Sequence, residues 1–199
     1  MRIVSVEPID KKKSRVLTDG GPAFVLCNRE LQTYGIETGA ELSEEAYWEL
    51  LQDVFFQRAR ERLIRLLEAS DKTEAELRRK LSDGGCPPEA VEEAIAYGKR
   101  RRYIDDRRYA ENYIQFHSGV KSRRQLAAEL GAKGIDRELL AECLEEAELD
   151  EGAQIERLLK KRGYDRETAD RKEQQRTMAF LSRRGFSYEA ILDIMHKKD

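Results

Sequence analysis

Three stretches decide the reading of this chain: Leu77–Ile95, LRRKLSDGGCPPEAVEEAI; Leu126–Leu144, LAAELGAKGIDRELLAECL; and Thr177–Met195, TMAFLSRRGFSYEAILDIM. They align without gaps on Gly85, Gly134 and Gly185, which lie 49 and 51 residues apart. In each, a leucine stands four residues before the glycine and an apolar residue directly after it. That is the pattern of a helix ended by a left-handed glycine at C′, where the C3 and C″ side chains meet. It predicts φ above zero at all three glycines and three contacts: Leu81 with Cys86, Leu130 with Ile135, Leu181 with Phe186. A new helix then starts at once, with Pro88 in a first turn and Asp136 or Ser187 as N-cap. Glu89, Glu138 and Glu189 take equivalent first-turn places, where the helix dipole favours a carboxylate.

The pattern extends upstream. Thr73 and Ser122, again 49 apart, each open a capping-box sequence. The third repeat lacks that signal, and its helix is expected to begin near Asp165 to Thr168. Helices at Asp106–His117 and Glu151–Arg162, and the end of a long helix running from Ser43 to about Ala69–Asp71, complete the units. The fold class is therefore mainly α. We expect three tandem three-helix repeats forming an elongated curved bundle, closed by stacking of neighbours. Ahead of them, Ile3–Val6, Arg15–Thr18 and Ala23–Cys27 read as three short strands of a small N-terminal β-meander. Asp19-Gly20-Gly21-Pro22 is the expected turn, with glycine supplying positive φ. So small a sheet has no core of its own and needs the first long helix to pack on. The expected division is 1–42, 43–104, 105–149 and 150–199.

Composition bounds the function. The 199 residues carry 37 Lys and Arg against 39 Asp and Glu, a net charge of −2, which excludes a globally basic DNA-coating protein. Cys27, Cys86 and Cys143 are isolated and His117 and His196 are far apart, so no zinc-ligand grouping is present. Sparse, odd thiols fit a reducing compartment. The N-terminus has no apolar signal segment, and no run approaches the length that spans a bilayer; a cytoplasmic protein is expected. There is no Gly-rich phosphate loop and no nucleophile with a nearby histidine in sequence, so we expect no enzyme, no cofactor and no metal. Asp105-Asp106 is read as a helix-start pair rather than a metal pair, with Tyr109, Ala110 and Tyr113 following at core spacing.

Charge segregates along the chain. Residues 98–134 hold ten basic and four acidic side chains, a balance of +6; residues 135–156 hold one and nine, a balance of −8. One reading is solvated faces laced with i,i+4 pairs. The other is a basic patch for DNA phosphates or an acidic partner, with Arg100, Arg101, Arg102, Arg107, Arg108, Lys121, Arg123 and Arg124 as candidates, joined by Lys160, Lys161 and Arg183 in the third unit. Tyr103, Tyr109, Tyr113 and Phe116 lie among these cations but are expected mainly in the core. The helices after the glycines carry too many carboxylates to read a major groove.

Two motifs, Tyr103-Ile-Asp-Asp-Arg-Arg-Tyr-Ala110 and Phe180-Leu-Ser-Arg-Arg-Gly-Phe-Ser-Tyr-Glu-Ala-Ile191, with Lys72–Leu77 and Lys133-Gly134-Ile135, give residues 57–195 a resemblance to the RecX family, regulators of the RecA recombinase. The chain departs from the family pattern at Lys72-Thr73, where Arg-Ser is usual, and at Arg102, where Gly is frequent. The resemblance implies a protein that binds the RecA–single-stranded DNA filament and modulates, usually inhibits, ATP hydrolysis and strand exchange in recombination and DNA repair; a monomer is expected. A helical-repeat adaptor with no DNA role and a direct single-strand binder are the alternatives.

Overall fold

The computed structural model describes residues 1–196. The chain divides into two compact units, Met1–Asp105 and Asp106–Asp199. In the first, β1 (Ile3–Pro8), β2 (Lys13–Thr18) and β3 (Phe24–Cys27) form an antiparallel sheet in that order. Val6 faces Val16 and Arg15 faces Val25 across the ladders. Neither Gly20 nor Gly21 has positive φ, contrary to expectation. The five-residue connection is long enough to close by side chains instead: Thr18 Oγ1 accepts from the Gly21 amide (3.1 Å) and Asp19 Oδ1 from the Arg2 amide (2.8 Å). A short helix the periodicity did not show, α1 (Asn28–Thr33), follows β3 directly.

The long helix is present but not uniform. It comprises α2 (Glu44–Leu50), a π-helical turn (Leu51–Phe55) and α3 (Phe56–Ala69), capped where expected by Ser43, whose hydroxyl accepts from the Ala46 amide. The buried residues Tyr47, Leu51, Phe55, Ala59 and Leu63 are spaced strictly by four. That spacing drifts about 40° per step in an ideal helix. The wide turn winds the face back onto one side. There it packs on the sheet: Phe24 meets Phe55 edge-on at 5.6 Å, and Ile3, Val16, Phe24 and Leu26 share one core with α2 and α3.

Next come α4 (Glu74–Asp83) and α5 (Pro88–Arg100) in this unit, then α6 (Asp106–His117), α7 (Arg123–Ala132), α8 (Arg137–Glu146), α9 (Glu151–Arg162), α10 (Arg171–Ser182) and α11 (Tyr188–Met195) in the second. The glycine turns have the predicted form. Gly85, Gly134 and Gly185 have φ of 80°, 83° and 85°. The Cys86 amide donates to the Leu81 carbonyl and the Ile135 amide to the Leu130 carbonyl, each at 3.2 Å. In each repeat the C3 and C″ residues belong to the same buried cluster. Gly163 (φ 70°) repeats the device after α9, with the Tyr164 amide on the Leu159 carbonyl at 3.0 Å.

Two helix starts differ from expectation. Thr73 makes a full capping box with Glu76. At Ser122 only half of one forms: its hydroxyl accepts from the Gln125 amide, while its own amide donates to the Arg184 carbonyl. In the third repeat the helix begins at Arg171, capped by Asp170, and not near Asp165. Asp165 instead closes a separate turn onto the Glu167 amide and the Thr168 hydroxyl.

Arg102 (φ 56°) also adopts the left-handed region that favours glycine, at the position where the resemblance leads one to expect Gly. Two expected outcomes follow from this backbone. Gly185→Ala adds left-handed strain and puts a Cβ 2.5 Å from the capping Ser122 Oγ; it should cost about 2 kcal/mol or more in urea unfolding, and a change near zero would refute the close approach. Arg102→Gly should do the opposite and raise stability by up to about 1 kcal/mol.

Candidate interaction surface

The basic candidates sort by what they touch. Arg107, on α6, is ion-paired with Glu142 and Glu146 of α8 and lies 3.9 Å from Glu111 on its own helix. Lys121 is engaged more fully. Its Nζ is 2.5 Å from Glu129 Oε2, donates to the Tyr113 hydroxyl at 3.1 Å, and lies 5.1 Å from the Tyr113 ring centroid. Tyr113 donates to Glu129 in turn, and Gln125 Nε2 donates to the other carboxylate oxygen at 3.1 Å. Lys99, too, is held by Glu74 at 2.5 Å, and Lys133 Nζ lies 5.4 Å from the Tyr109 ring. These cations, Arg107 and Lys121 among them, are engaged within the fold.

Others face solvent. Arg100, 65% exposed, has only a loose 3.7 Å approach to Glu93. The Arg101 guanidinium lies 5.8 Å from the Tyr97 ring centroid, which Arg60 also approaches at 5.3 Å. Arg102 is exposed, and Arg108 is exposed on α6. Arg123 and Arg124 stand in the first turn of α7, where the helix dipole disfavours cations. The Glu151 carboxylate, which accepts from the Arg123 amide at 2.9 Å, offsets that cost. Both arginines line a cavity of about 660 Å³ with Glu145 and Glu151. Lys160, Lys161 and Arg183 are exposed in the third repeat.

The sequence reading passed over Arg162 and Arg184. Their guanidiniums lie 4.9 and 3.8 Å from the Phe180 ring centroid, and both line a groove with Lys161, Val120 and Leu158. The usable signal was Arg162 closing a helix at Gly163, one turn after a Leu158-Leu159 pair, and Arg184 preceding Gly185. Two aromatic assignments are corrected. Phe116 is 83% exposed and Tyr103 47% exposed, so neither is a core residue. The buried line of α6 is Ala110 and Ile114, and Phe116 sits two residues, about 200°, round from Ile114. Tyr103 precedes the helix and leans edge-on against Tyr97 at 6.2 Å. Tyr109 and Tyr113 do pack on the second core, and Cys86 and Cys143 are buried as small apolar groups, their thiol pKa values raised by burial. Asp105 immediately precedes α6 and Asp106 is its first residue. Among the described residues no three His, Cys, Asp or Glu side chains are grouped to hold a metal, and no helix is long and apolar enough to cross a membrane.

Tandem three-helix units whose second helices end on left-handed glycines define a helical-repeat protein. Residues 59–97 match the family profile described as "RecX, first three-helix domain", 105–144 the second and 150–195 the third. "Regulatory protein RecX" of Caldanaerobacter subterraneus subsp. tengcongensis is 30% identical over 185 residues, covering 90% of each chain. Its namesake in Serratia proteamaculans is 32% identical over 67% of this chain and 93% of its own. A crystal structure of a regulatory protein RecX matches 98% of this chain with a TM-score of 0.62 at 23% identity, and one of RecX from Lactobacillus salivarius matches 70% with a TM-score of 0.56. The chain belongs to the RecX family.

The Tyr113–Lys121–Glu129 cluster gives a pH signature. Burial acts to raise the Glu129 carboxyl, but Lys121, Tyr113 and Gln125 outweigh it and hold its pKa below the ordinary value. On acidification the unfolded chain therefore takes up this proton first. The cluster's contribution is complete above the ordinary carboxylate pKa of about 4.3 and is lost as pH falls through the lowered folded value. Glu129→Gln should cost about 1 kcal/mol at pH 7 in urea unfolding, and the gap from the parent should shrink as pH falls below the ordinary carboxylate pKa of about 4.3.

Proposed function

We propose that this protein is a non-enzymatic regulator, most simply an inhibitor, of the RecA recombinase, acting in the cytoplasm as a monomer bound to the RecA–single-stranded DNA filament and lowering its ATP hydrolysis and strand exchange. The observation that carries the reading is the placement of the solvent-facing cations. Arg100–Arg102 follow the body of α5, Lys160 and Lys161 close α9, and Arg183 caps α10. Such clusters in separate repeats suit a polyanionic or acidic surface that repeats along a filament. Each repeat alone offers a small face, while a standard stable interface buries about 1,600 Å². Linked weak contacts gain avidity of roughly 10²- to 10⁴-fold when they engage together.

The direct test is co-sedimentation with RecA filaments, with RecA ATPase read in parallel. Binding with reduced ATPase is expected; neither binding nor an ATPase change would overturn the proposal. Charge reversal then asks which cations matter. Arg100→Glu, Arg101→Glu and Arg102→Glu together should weaken filament binding and flatten its salt dependence with helical content unchanged by circular dichroism. Lys160→Glu, Lys161→Glu and Arg183→Glu together should do the same from the third repeat. Parent-like binding by both folded variants would remove the electrostatic model.

A further inference from the structure

Within the first unit, a cavity of about 430 Å³ opens between β3, α3 and the Gly84–Gly85 turn. Four cations line it, Lys13, Arg58, Arg62 and Arg65, against two carboxylates, Glu30 and Glu61, an excess of two positive charges. The carboxylates are engaged. Glu30 pairs with Arg58 and accepts from the Cys27 amide at 2.8 Å, and Glu61 accepts from Gln57 at 3.0 Å and lies 4.0 Å from Arg65. Arg58 is tied further to the Val25 carbonyl at 3.1 Å. Arg62 differs. Its Nε is buried and finds no hydrogen-bond partner among the described residues. Its guanidinium occupies the space beside Gly84: a Cβ there would stand 2.4 Å from Arg62 Cζ. Only a residue without a side chain leaves room for it there.

A buried, unsatisfied guanidinium donor costs about 1–3 kcal/mol, and native structures rarely leave one without a reason. The floor of the cavity is apolar and shut, with Leu26 and Cys86 buried, while Lys13, Glu61 and Arg65 at the mouth are exposed. We infer that this cavity binds a phosphate dianion, free or as a phosphate monoester, through Arg62 with Lys13 and Arg65 closing over it. The volume lies within the range of small-molecule sites. The fork of an arginine matches phosphate oxygens two at a time, and a dianion balances the excess charge where a single carboxylate would not. Because β3 forms one wall, the site gives the N-terminal sheet a ligand-dependent role.

Isothermal titration calorimetry with inorganic phosphate, into the full chain at constant ionic strength set with sodium chloride, tests this. Saturable binding is expected, weakened about tenfold or more by Arg62→Met and also by Gly84→Ala, whose Cβ displaces the guanidinium. Lys13→Gln, at the exposed mouth, supplies a third variant that leaves the core untouched should either of the others fail to fold. Adenosine monophosphate is titrated alongside: binding as tight as phosphate identifies a monoester ligand, and binding by phosphate alone identifies the free ion. No saturable heat from either, or parent-like affinity in the folded variants, overturns the assignment.

Discussion

When a helix ends on a left-handed glycine, the amide after the glycine turns back onto the C3 carbonyl, and the chain leaves at a fixed angle with its next side chain against the helix it has just left. Here that bond ties Cys86 to Leu81 and Ile135 to Leu130, and the following helices begin three residues beyond each glycine. With no slack in the connection, the paired helices pack immediately, and the buried leucines at the bond become the centres of their cores. Two of these turns also carry their neighbours. The Gly85 carbonyl accepts from the Val25 amide at 3.0 Å, and a Cβ at Gly85 would stand 2.2 Å from the Val25 side chain. At Gly185 the neighbour is the start of α7, with Ser122 donating to the Arg184 carbonyl. Positive φ and close approach thus demand glycine at the same positions, for different reasons.

This is why the repeats were legible in the sequence. A helix stop, its C3 and C″ residues and the next N-cap lie within about ten residues, and their chemistry is local. Asp136, Ser187, Ser43 and Thr73 cap where they were read to cap because an N-cap needs only its own side chain and amides two or three residues on. The failures share the opposite property. Ser122 matches a capping box, but its amide is taken by Arg184, 62 positions away in sequence, which no local pattern shows. Asp165 looks like a cap and closes a turn, since Asp170 has the same chemistry with the helix behind it. The π-helical turn is foreshadowed by apolar spacing at strict fours, a signal that average periodicity smooths over. Phe116 was placed in the core because it is aromatic and near Tyr113, although its angle round α6 puts it outside.

The interaction surface was less legible for a related reason. Counting charge along the chain gives a basic segment followed by an acidic one, and the fold brings parts of the two together. Arg107 reaches Glu142 and Glu146 across 35 and 39 residues, so α6 and α8 neutralise one another within the second repeat. Lys121 turns back onto Glu129. What looked like one patch becomes a set of internal ion pairs plus a remainder, and only tertiary structure says which cation belongs to which.

Apart from Arg108, Arg123 and Arg124, which lie in the first turns of α6 and α7, the solvent-facing cations have a common address. Arg100–Arg102, Lys160–Arg162 and Arg183–Arg184 each sit where a helix closes on a left-handed residue: Arg102 itself, Gly163 and Gly185. The last carbonyls of a helix carry partial negative charge, so cations there are stabilised by the dipole and need no carboxylate to hold them. The same turn that ends the helix therefore stabilises its final basic side chains, beside their local contacts of Arg101 with Tyr97 and of Arg162 and Arg184 with Phe180. Arg102 makes the point most sharply, because glycine would fit its φ at lower strain and the arginine is nonetheless present. A backbone device needed for packing thus sets out, in the first and third repeats, charges available to a partner.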